Sequence, residues 1–370
     1  MVLLAAGCGR REDGVTVVME RPDDASALSD AVEKIELIPL ETADGVLVGD
    51  FSEIVLLGDS FVLEDRTGNQ VFRFDAAGRF LNRIGRAGNG PGEYAGIQYV
   101  QADEDVIIFS EPDKMMRYSA DGTLIEETHV DNLGCQSCVV PEGILTYYGF
   151  GTGREERAAL LREDGTSEPF LPTSAKVIYF TPDTPVFCID GDKVYFTDSY
   201  SPSVFIYSKG SVRQEVGFDF GDAAINENFY HFDDAIASAE YMLSATEFAM
   251  VRRYLHGKDY QFLEVFVQKG RESGLCYEGR AEAELCYGIC AGDGWKWFSL
   301  GALEDSAFAG SLRALDGSTL YFLLDPARLS GGAGALAGPL APLRAAISNP
   351  EALDSLKPDD NPVIAKMYLK

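Results

Sequence analysis

A short glycine-centred tag returns along this chain: Asp75-Ala76-Ala77-Gly78, Ser119-Ala120-Asp121-Gly122, Glu163-Asp164-Gly165 and Ser208-Lys209-Gly210. The intervals from Gly78 to Gly122 to Gly165 to Gly210 are 44, 43 and 45 residues. A unit of this length cannot bury a hydrophobic face by itself and must stack on its neighbours. With strand-like sequence between the tags, the period predicts the blades of a β-propeller.

Within each unit the apolar residues alternate or cluster in short runs bounded by turn residues, which is strand patterning and not a helical face. The first unit carries Phe61-Val62-Leu63, Val71-Phe72-Arg73-Phe74 and Phe80-Leu81-Asn82-Arg83-Ile84. The second repeats the scheme with Val106-Ile107-Ile108-Phe109 and Met115-Met116-Arg117-Tyr118, the fourth with Val194-Tyr195-Phe196-Thr197 and Val204-Phe205-Ile206-Tyr207. A third, more worn unit has Ile144-Leu145-Thr146-Tyr147-Tyr148. The tag falls between the last two strands of each unit, where a hairpin needs a residue tolerant of positive φ; glycine provides it without steric cost.

Beyond Gly210 the register is interrupted. Residues 225–256 are rich in Ala, Glu and Met and lack turn punctuation, which predicts a helical insertion between blades. Strand character returns at Gln261–Val267, Leu275-Cys276-Tyr277, Trp295-Lys296-Trp297-Phe298 and Leu320–Leu324; a Gly/Ala/Pro-rich stretch follows from 326 to about 360. Leaving out both excursions, the remaining length holds about six units of this period, which favours six blades over five or seven. The strands Ile35-Glu36-Leu37-Ile38-Pro39-Leu40 and Val363–Tyr368 suit closure of the ring from the two chain ends. The expectation is an all-β, six-bladed β-propeller over 35–370.

With 31 basic and 59 acidic residues the chain carries a formal charge of −28. Such a surface repels phosphate backbones and anionic lipid headgroups, so nucleic acid is not an expected partner, and a membrane is expected only through an anchor. At the start, Val2-Leu3-Leu4-Ala5-Ala6-Gly7-Cys8 reads as the end of a lipoprotein signal, in which small residues lead into a cysteine that is acylated after cleavage. Residues 1–8 are taken as the signal remnant, Cys8 as the lipidation site and 9–34 as a flexible linker. The other cysteines, Cys135, Cys138, Cys188, Cys276, Cys286 and Cys290, read first as one or two structural disulfides in an oxidising compartment, then as isolated buried thiols.

Several motifs resemble the six-bladed β-propeller lipoproteins with NHL-like repeats that are common in gut bacteria. The resemblance is carried by Ile38-Pro39-Leu40-Glu41-Thr42, by Val71–Leu81, by Gly88-Asn89-Gly90-Pro91-Gly92-Glu93-Tyr94 and by the closing Asn361-Pro362-Val363-Ile364. It implies an outer-membrane or cell-surface location through a lipid anchor, with the periplasmic side as the other option. That group brings no common activity with it.

Candidate chemistry is sparse, and no catalytic residue is assigned. The compact motif Arg86–Tyr94 holds glycines whose amides could meet an anion, though its first reading is an inter-blade crossover. If it lies on a binding face, Arg86, Asn89, Glu93 and Tyr94 are the candidate ligand-binding side chains. Asp65 and Asp198 each precede an aromatic strand residue by nine positions, as channel-facing calcium ligands would, or as turn-forming aspartates. His129, His231 and His256 show no metal-ligand spacing, so no metal site is assigned and calcium is the one cofactor that remains in play. Trp295 and Trp297 share one sheet face and would stack on a sugar if exposed, or pack in the core. The leading expectation is a lipid-anchored binding or scaffold propeller for a glycan, peptide or protein partner. The alternative is a calcium-dependent enzyme similar to lactonase- or lyase-type propellers.

Overall fold

The computed structural model describes residues 15–370 except 50–51, 151, 176–183, 199, 233, 235, 238–239, 242–246, 270–282, 293, 303–305 and 330–339. The strands form six sheets. Blade 1 is β3 (Glu53–Leu57), β4 (Ser60–Asp65), β5 (Gln70–Phe74) and β6 (Phe80–Arg83); blade 2 is β7 (Ile97–Ala102), β8 (Val106–Ser110), β9 (Lys114–Tyr118) and β10 (Leu124–His129). Blade 3 is β11 (Gln136–Val140), β12 (Gly143–Tyr147), β13 (Glu156–Leu161) and β14 (Ser167–Pro172). Blade 4 is β15 (Phe187–Asp190), β16 (Lys193–Thr197), β17 (Ser203–Ser208) and β18 (Ser211–Asp219). Blade 5 is β19 (Glu247–His256), β20 (Gln261–Lys269), β21 (Ala283–Cys290) and β22 (Trp295–Phe298). Blade 6 joins β23 (Leu312–Asp316), β24 (Thr319–Leu324) and β25 (Val363–Leu369) to β2 (Val32–Pro39) from the other end of the chain. The expected six-bladed propeller is the observed fold.

Ring closure uses the two segments read for it. β2 pairs antiparallel with β25, Ile35 opposite Met367 and Ile38 opposite Ile364. The outer edge of β2 would be an open template for another chain. Asn349 covers it by imitating a strand, accepting from Leu37 N–H at 2.9 Å and donating to Leu37 C=O at 2.8 Å.

The apolar core lies between blades. One cluster joins Val62 and Val71 of blade 1 to Val100, Ile108 and Met116 of blade 2, and another joins Val204 and Ile206 of blade 4 to Val251, Leu263 and Val265 of blade 5. This is why the repeat is obligatory: a single sheet would leave both of its faces wet.

The tag glycines behave as the sequence predicts. Gly78, Gly122, Gly165 and Gly210 have φ of 79°, 87°, 80° and 75°. Asp75, Asp121 and Asp164 complete the turns by accepting backbone N–H bonds from Arg79, Thr123 and Thr166. Two of these turns also seat one blade on the next, since a Cβ on Gly122 would collide with the Arg83 carbonyl oxygen and one on Gly78 with that of Pro39. Gly165 has open space around it. Gly165→Ala should therefore cost about 1 kcal/mol through its backbone alone, and Gly122→Ala about 3 kcal/mol, compared by urea unfolding. Equal losses would refute the inter-blade role of Gly122.

Two expectations need correction. Residues 9–34 are not a free linker over their described part. β1 (Val15–Val18) adds a fifth strand to blade 4, parallel to β18, and Trp297 Nε1–H donates to Val18 C=O at 3.1 Å. The helix α1 (Ser26–Ala31) follows, with Leu28 fully buried in the core of blades 5 and 6. The second correction concerns the helical insertion at 225–256. Its described start is a 3-10 turn, Glu227–His231, capped by the Asn226 side chain, and 236–237 and 240–241 are helical as expected, but 247–256 is the strand β19. Helix propensity there yields to pairing with the strongly apolar β20, Val251 opposite Val265 and Leu255 opposite Phe262. The strand read at Leu275-Cys276-Tyr277 lies outside the described residues.

Candidate functional site

The first strand of each blade lines the central channel, where β3 meets β7 and β23, β7 meets β11, and β19 meets β15 and β23. An inner strand has no partner on its channel side, so its backbone groups need other partners. Side-chain amides supply several. Gln101 accepts from Val139 N–H and donates to Val139 C=O, stitching blade 2 to blade 3. Gln136 accepts from Val186 N–H and donates to Thr184 C=O, tying blade 3 to blade 4.

Between blades 5, 6 and 1 the stitching is ionic. Glu53 Oε1 accepts from Arg253 Nη2 at 2.7 Å, and Arg313 Nε lies 3.9 Å from Glu53 Oε2. Arg253 Nη1 donates to Arg313 C=O, and Arg313 Nε to Ser52 C=O. Beside this group Glu64 pairs with Arg66, and Arg252 with Glu264 at 2.8 Å. Burial pushes Glu64 up to about 7 against the pull of Arg66, with Glu53 adding to the rise. Among these buried atoms Glu53 Oε2, Glu64 Oε2, Glu264 Oε2, Arg66 Nη2 and Arg253 Nε have no hydrogen-bond partner.

This charged waist is the floor of a cavity of about 430 Å³ whose walls include Leu56, Tyr99, Gln101, Ile189 and Tyr254. Exposure rises along the inner strands toward their first hairpins. Glu53 and Arg313 are buried, Leu56 and Leu315 half-buried, and Ile189, Gly58 and Asp316 exposed. The cavity therefore opens at the hairpin end of the channel. At the far end the insertion packs on blades 3 and 4: Phe229 is 1% exposed and lies against Tyr200 at 5.0 Å, and Phe150 sits 5.4 Å from Tyr230.

The sequence-derived candidates lie elsewhere. The 86–94 loop joins β6 to β7 as a crossover, at the far end. Arg86 pairs with Glu93 at 2.6 Å, Gly90 N–H donates to Glu93, and Gly92 N–H to Glu127. The amides that could have held an anion are thus taken by the chain's own carboxylates. Tyr94 is 1% exposed and donates to Ile84 C=O at 3.2 Å, burial pushing its hydroxyl up to about 12; of the four candidates, Asn89 and Arg86 are exposed.

Asp65 and Asp198 do not converge on the channel. Asp65 accepts from Gly68 and Gly49 N–H, and Asp198 from the Tyr147 hydroxyl at 2.7 Å and the Arg157 guanidinium. Among the described residues no three His, Cys, Asp or Glu side chains are grouped to hold a metal. His129 is exposed between Asp113 and Asp131, and His256 ends β19 stacked on Tyr195 at 3.9 Å. His231 closes the 3-10 turn of the insertion.

Trp295 and Trp297 pack edge-on against Phe218 of blade 4, in line with the packing reading rather than with sugar stacking. Cys135, Cys138, Cys188, Cys286 and Cys290 are free thiols, so the described residues form no disulfide; Cys8 and Cys276 lie outside them. Burial pushes Cys135 and Cys188 each up to about 11 and Cys286 up to about 12, as expected of inert core thiols.

Sequence reasoning missed the channel set of Glu53, Glu64, Arg253 and Arg313. The available signal was a charge inside an otherwise apolar strand, as at Glu53 before Ile54-Val55-Leu56-Leu57 and at Glu64 after Phe61-Val62-Leu63. A fully buried ionisable group in such a run needs a charged partner.

Fold and channel together define a six-bladed β-propeller with a charged waist, packed over at blades 3 and 4 on one end and open to a cavity at the other. The chain belongs to the DUF4934 family, a domain of unknown function, which it matches over residues 15–368. Its fold is similar to that of a Bacteroides fragilis protein described as exported, with TM-score 0.73 and 16% identity over 96% of this chain and 99% of that one. A DUF4221-family member from Bacteroides vulgatus is similar at TM-score 0.50 and 10% identity, over 92% of this chain and 97% of that one. No curated protein matches the chain. Among the described residues no helix is long and apolar enough to cross a membrane.

Proposed function

We propose that this protein is an exported binding module, held at the outer membrane or cell surface through Cys8, whose channel cavity takes the hydroxyl-rich end of a glycan. The observation that carries the reading is the pair of buried carboxylate oxygens, Glu53 Oε2 and Glu64 Oε2, left without hydrogen-bond partners at the cavity floor. Buried acceptors in that state call for a donor. Tyr99 and Tyr254 give the cavity aromatic walls, and a volume of about 430 Å³ falls in the range of small-ligand pockets. The resemblance to NHL-like lipoproteins and the small-residue run into Cys8 support the tether. The guanidiniums around Glu53 disfavour a cation there, so the reading places no calcium at this site.

The test is a plug. Ile189 is 37% exposed on the cavity wall, so Ile189→Trp fills space without disturbing the waist. Screened on a panel of neutral oligosaccharides and titrated by calorimetry, the native protein should bind at least one. Ile189→Trp should weaken that binding about tenfold or more with an unchanged melting temperature. Absence of binding across the panel, or equal affinity in the plugged variant, would refute the proposal.

A further inference from the structure

We infer that the cross-strand pair Glu53 and Glu64 sets the specificity of the channel cavity, admitting sugars that present hydroxyl groups and excluding those that carry a carboxylate, as uronic acids do. The inference rests on the glycan reading above and names the ligand class of the same site.

Glu53 and Glu64 stand directly opposite each other in the β3–β4 ladder. They are 4% and 0% exposed, and both line the cavity. Like charges facing across a strand pair are unfavourable, so the arrangement is a cost that packing alone does not require. Each residue spends one oxygen on an arginine, Glu53 on Arg253 and Glu64 on Arg66, and keeps Oε2 without a hydrogen-bond partner, that of Glu53 lying 3.9 Å from Arg313 Nε. An ionised carboxylate only accepts hydrogen bonds, so the floor asks its ligand for donors, and a sugar hydroxyl is one.

A ligand carboxylate would meet the opposite conditions. It would bring a negative charge toward Glu53, toward Glu64 and past the exposed Asp316 at the rim. The two guanidiniums that line the cavity keep their charge, but most of their N–H groups are already spent on other acceptors. Arg253 Nη1 and Nη2 serve Arg313 C=O and Glu53, and Arg313 serves the carbonyls of Ser52, Gly310 and Leu312. Arg253 Nε has no acceptor, and one N–H suits a hydroxyl or ring oxygen better than a bidentate carboxylate.

The pair also makes the exclusion depend on pH. Glu64 is faced by Arg66 from the turn after β4, by Glu53 from β3, and by Tyr99 and the Val100 amide from β7. Burial raises its pKa to about 7, so it is protonated below that pH, where it can donate to an anion, and ionised above it, where it repels one. Discrimination against uronic acids should therefore strengthen as pH rises through about 7, while the affinity for neutral sugars changes less.

The experiment titrates the native protein with glucose, galactose and mannose and with their uronic acids at pH 6 and pH 8, and repeats the series on Glu64→Gln. At pH 8 the preferred neutral sugar should bind about tenfold more tightly than its uronic acid. That ratio should narrow several-fold at pH 6 and in Glu64→Gln. Equal or tighter binding of the uronic acid at pH 8 overturns the inference alone, as does a ratio that neither pH nor the variant moves. A protein that binds neither series overturns the glycan reading as well. The pH arm on the native protein stands even where Glu64→Gln does not fold.

Discussion

Glu53→Gln is expected to lower unfolding stability by about 3–5 kcal/mol, the usual cost of removing one partner from a buried ion pair. The reason is where Glu53 sits. It is 4% exposed, receives Arg253 Nη2 at 2.7 Å and has Arg313 within 3.9 Å, and both arginines are themselves buried. Gln keeps the shape but offers these guanidiniums no charge. The three residues come from blades 1, 5 and 6, so the loss falls on the arc where the ring is closed. Denaturation in urea followed by circular dichroism measures it. The double variant Glu53→Gln/Arg253→Met should recover part of the loss, because one of the stranded charges is then gone. A cost below about 1 kcal/mol would mean that water in the channel solvates the arginines and the waist does not hold the ring together.

Asn361→Asp is the second large effect, expected at about 3 kcal/mol, since it leaves buried carbonyls facing an acceptor. Asn361 is 2% exposed and locks the closing end of the chain onto the opening one. Its Nδ2 donates to Glu41 C=O and Val46 C=O, each at 2.8 Å, its Oδ1 accepts from Val48 N–H at 2.9 Å, and its own N–H donates to Thr42 Oγ1 at 2.7 Å. Asp keeps one of the side-chain bonds and replaces the amide donors with an oxygen pointed at carbonyl oxygens. The same denaturation series, with limited proteolysis to follow release of the β2–β25 closure, reports the result. Unchanged stability would show that the strand ladder closes the ring without this clasp. The motif ends read as family-like, Glu41-Thr42 and Asn361-Pro362, thus meet in space as two halves of one lock.

Legibility followed range along the chain. The glycine turns could be read because a hairpin's demand for positive φ is met within a few residues, and Gly78, Gly122, Gly165 and Gly210 all meet it. Strand identity was legible for the same reason wherever apolar alternation was strong. It failed at 247–256, where Ala249, Met250 and Leu255 look helical alone and the pairing with β20 decides the matter. The segment before residue 35 failed in another way. The pieces of its described part, 15–34, have no period of their own, and they are ordered by the edge of blade 4 and by the core of blades 5 and 6.

The sequence by itself determined that this chain is a ring of about six four-stranded units closed by its two ends, because repeat length, turn chemistry and alternation are local properties. Only the tertiary structure decided where a ligand could bind. Glu53, Glu64, Arg253 and Arg313 are up to 260 positions apart along the chain, and apart from Arg66 beside Glu64 nothing near them in sequence names their partners. They become one charged floor because the inner strands of blades 1, 5 and 6 are brought edge to edge around a channel, where a buried charge must find its complement across the ring.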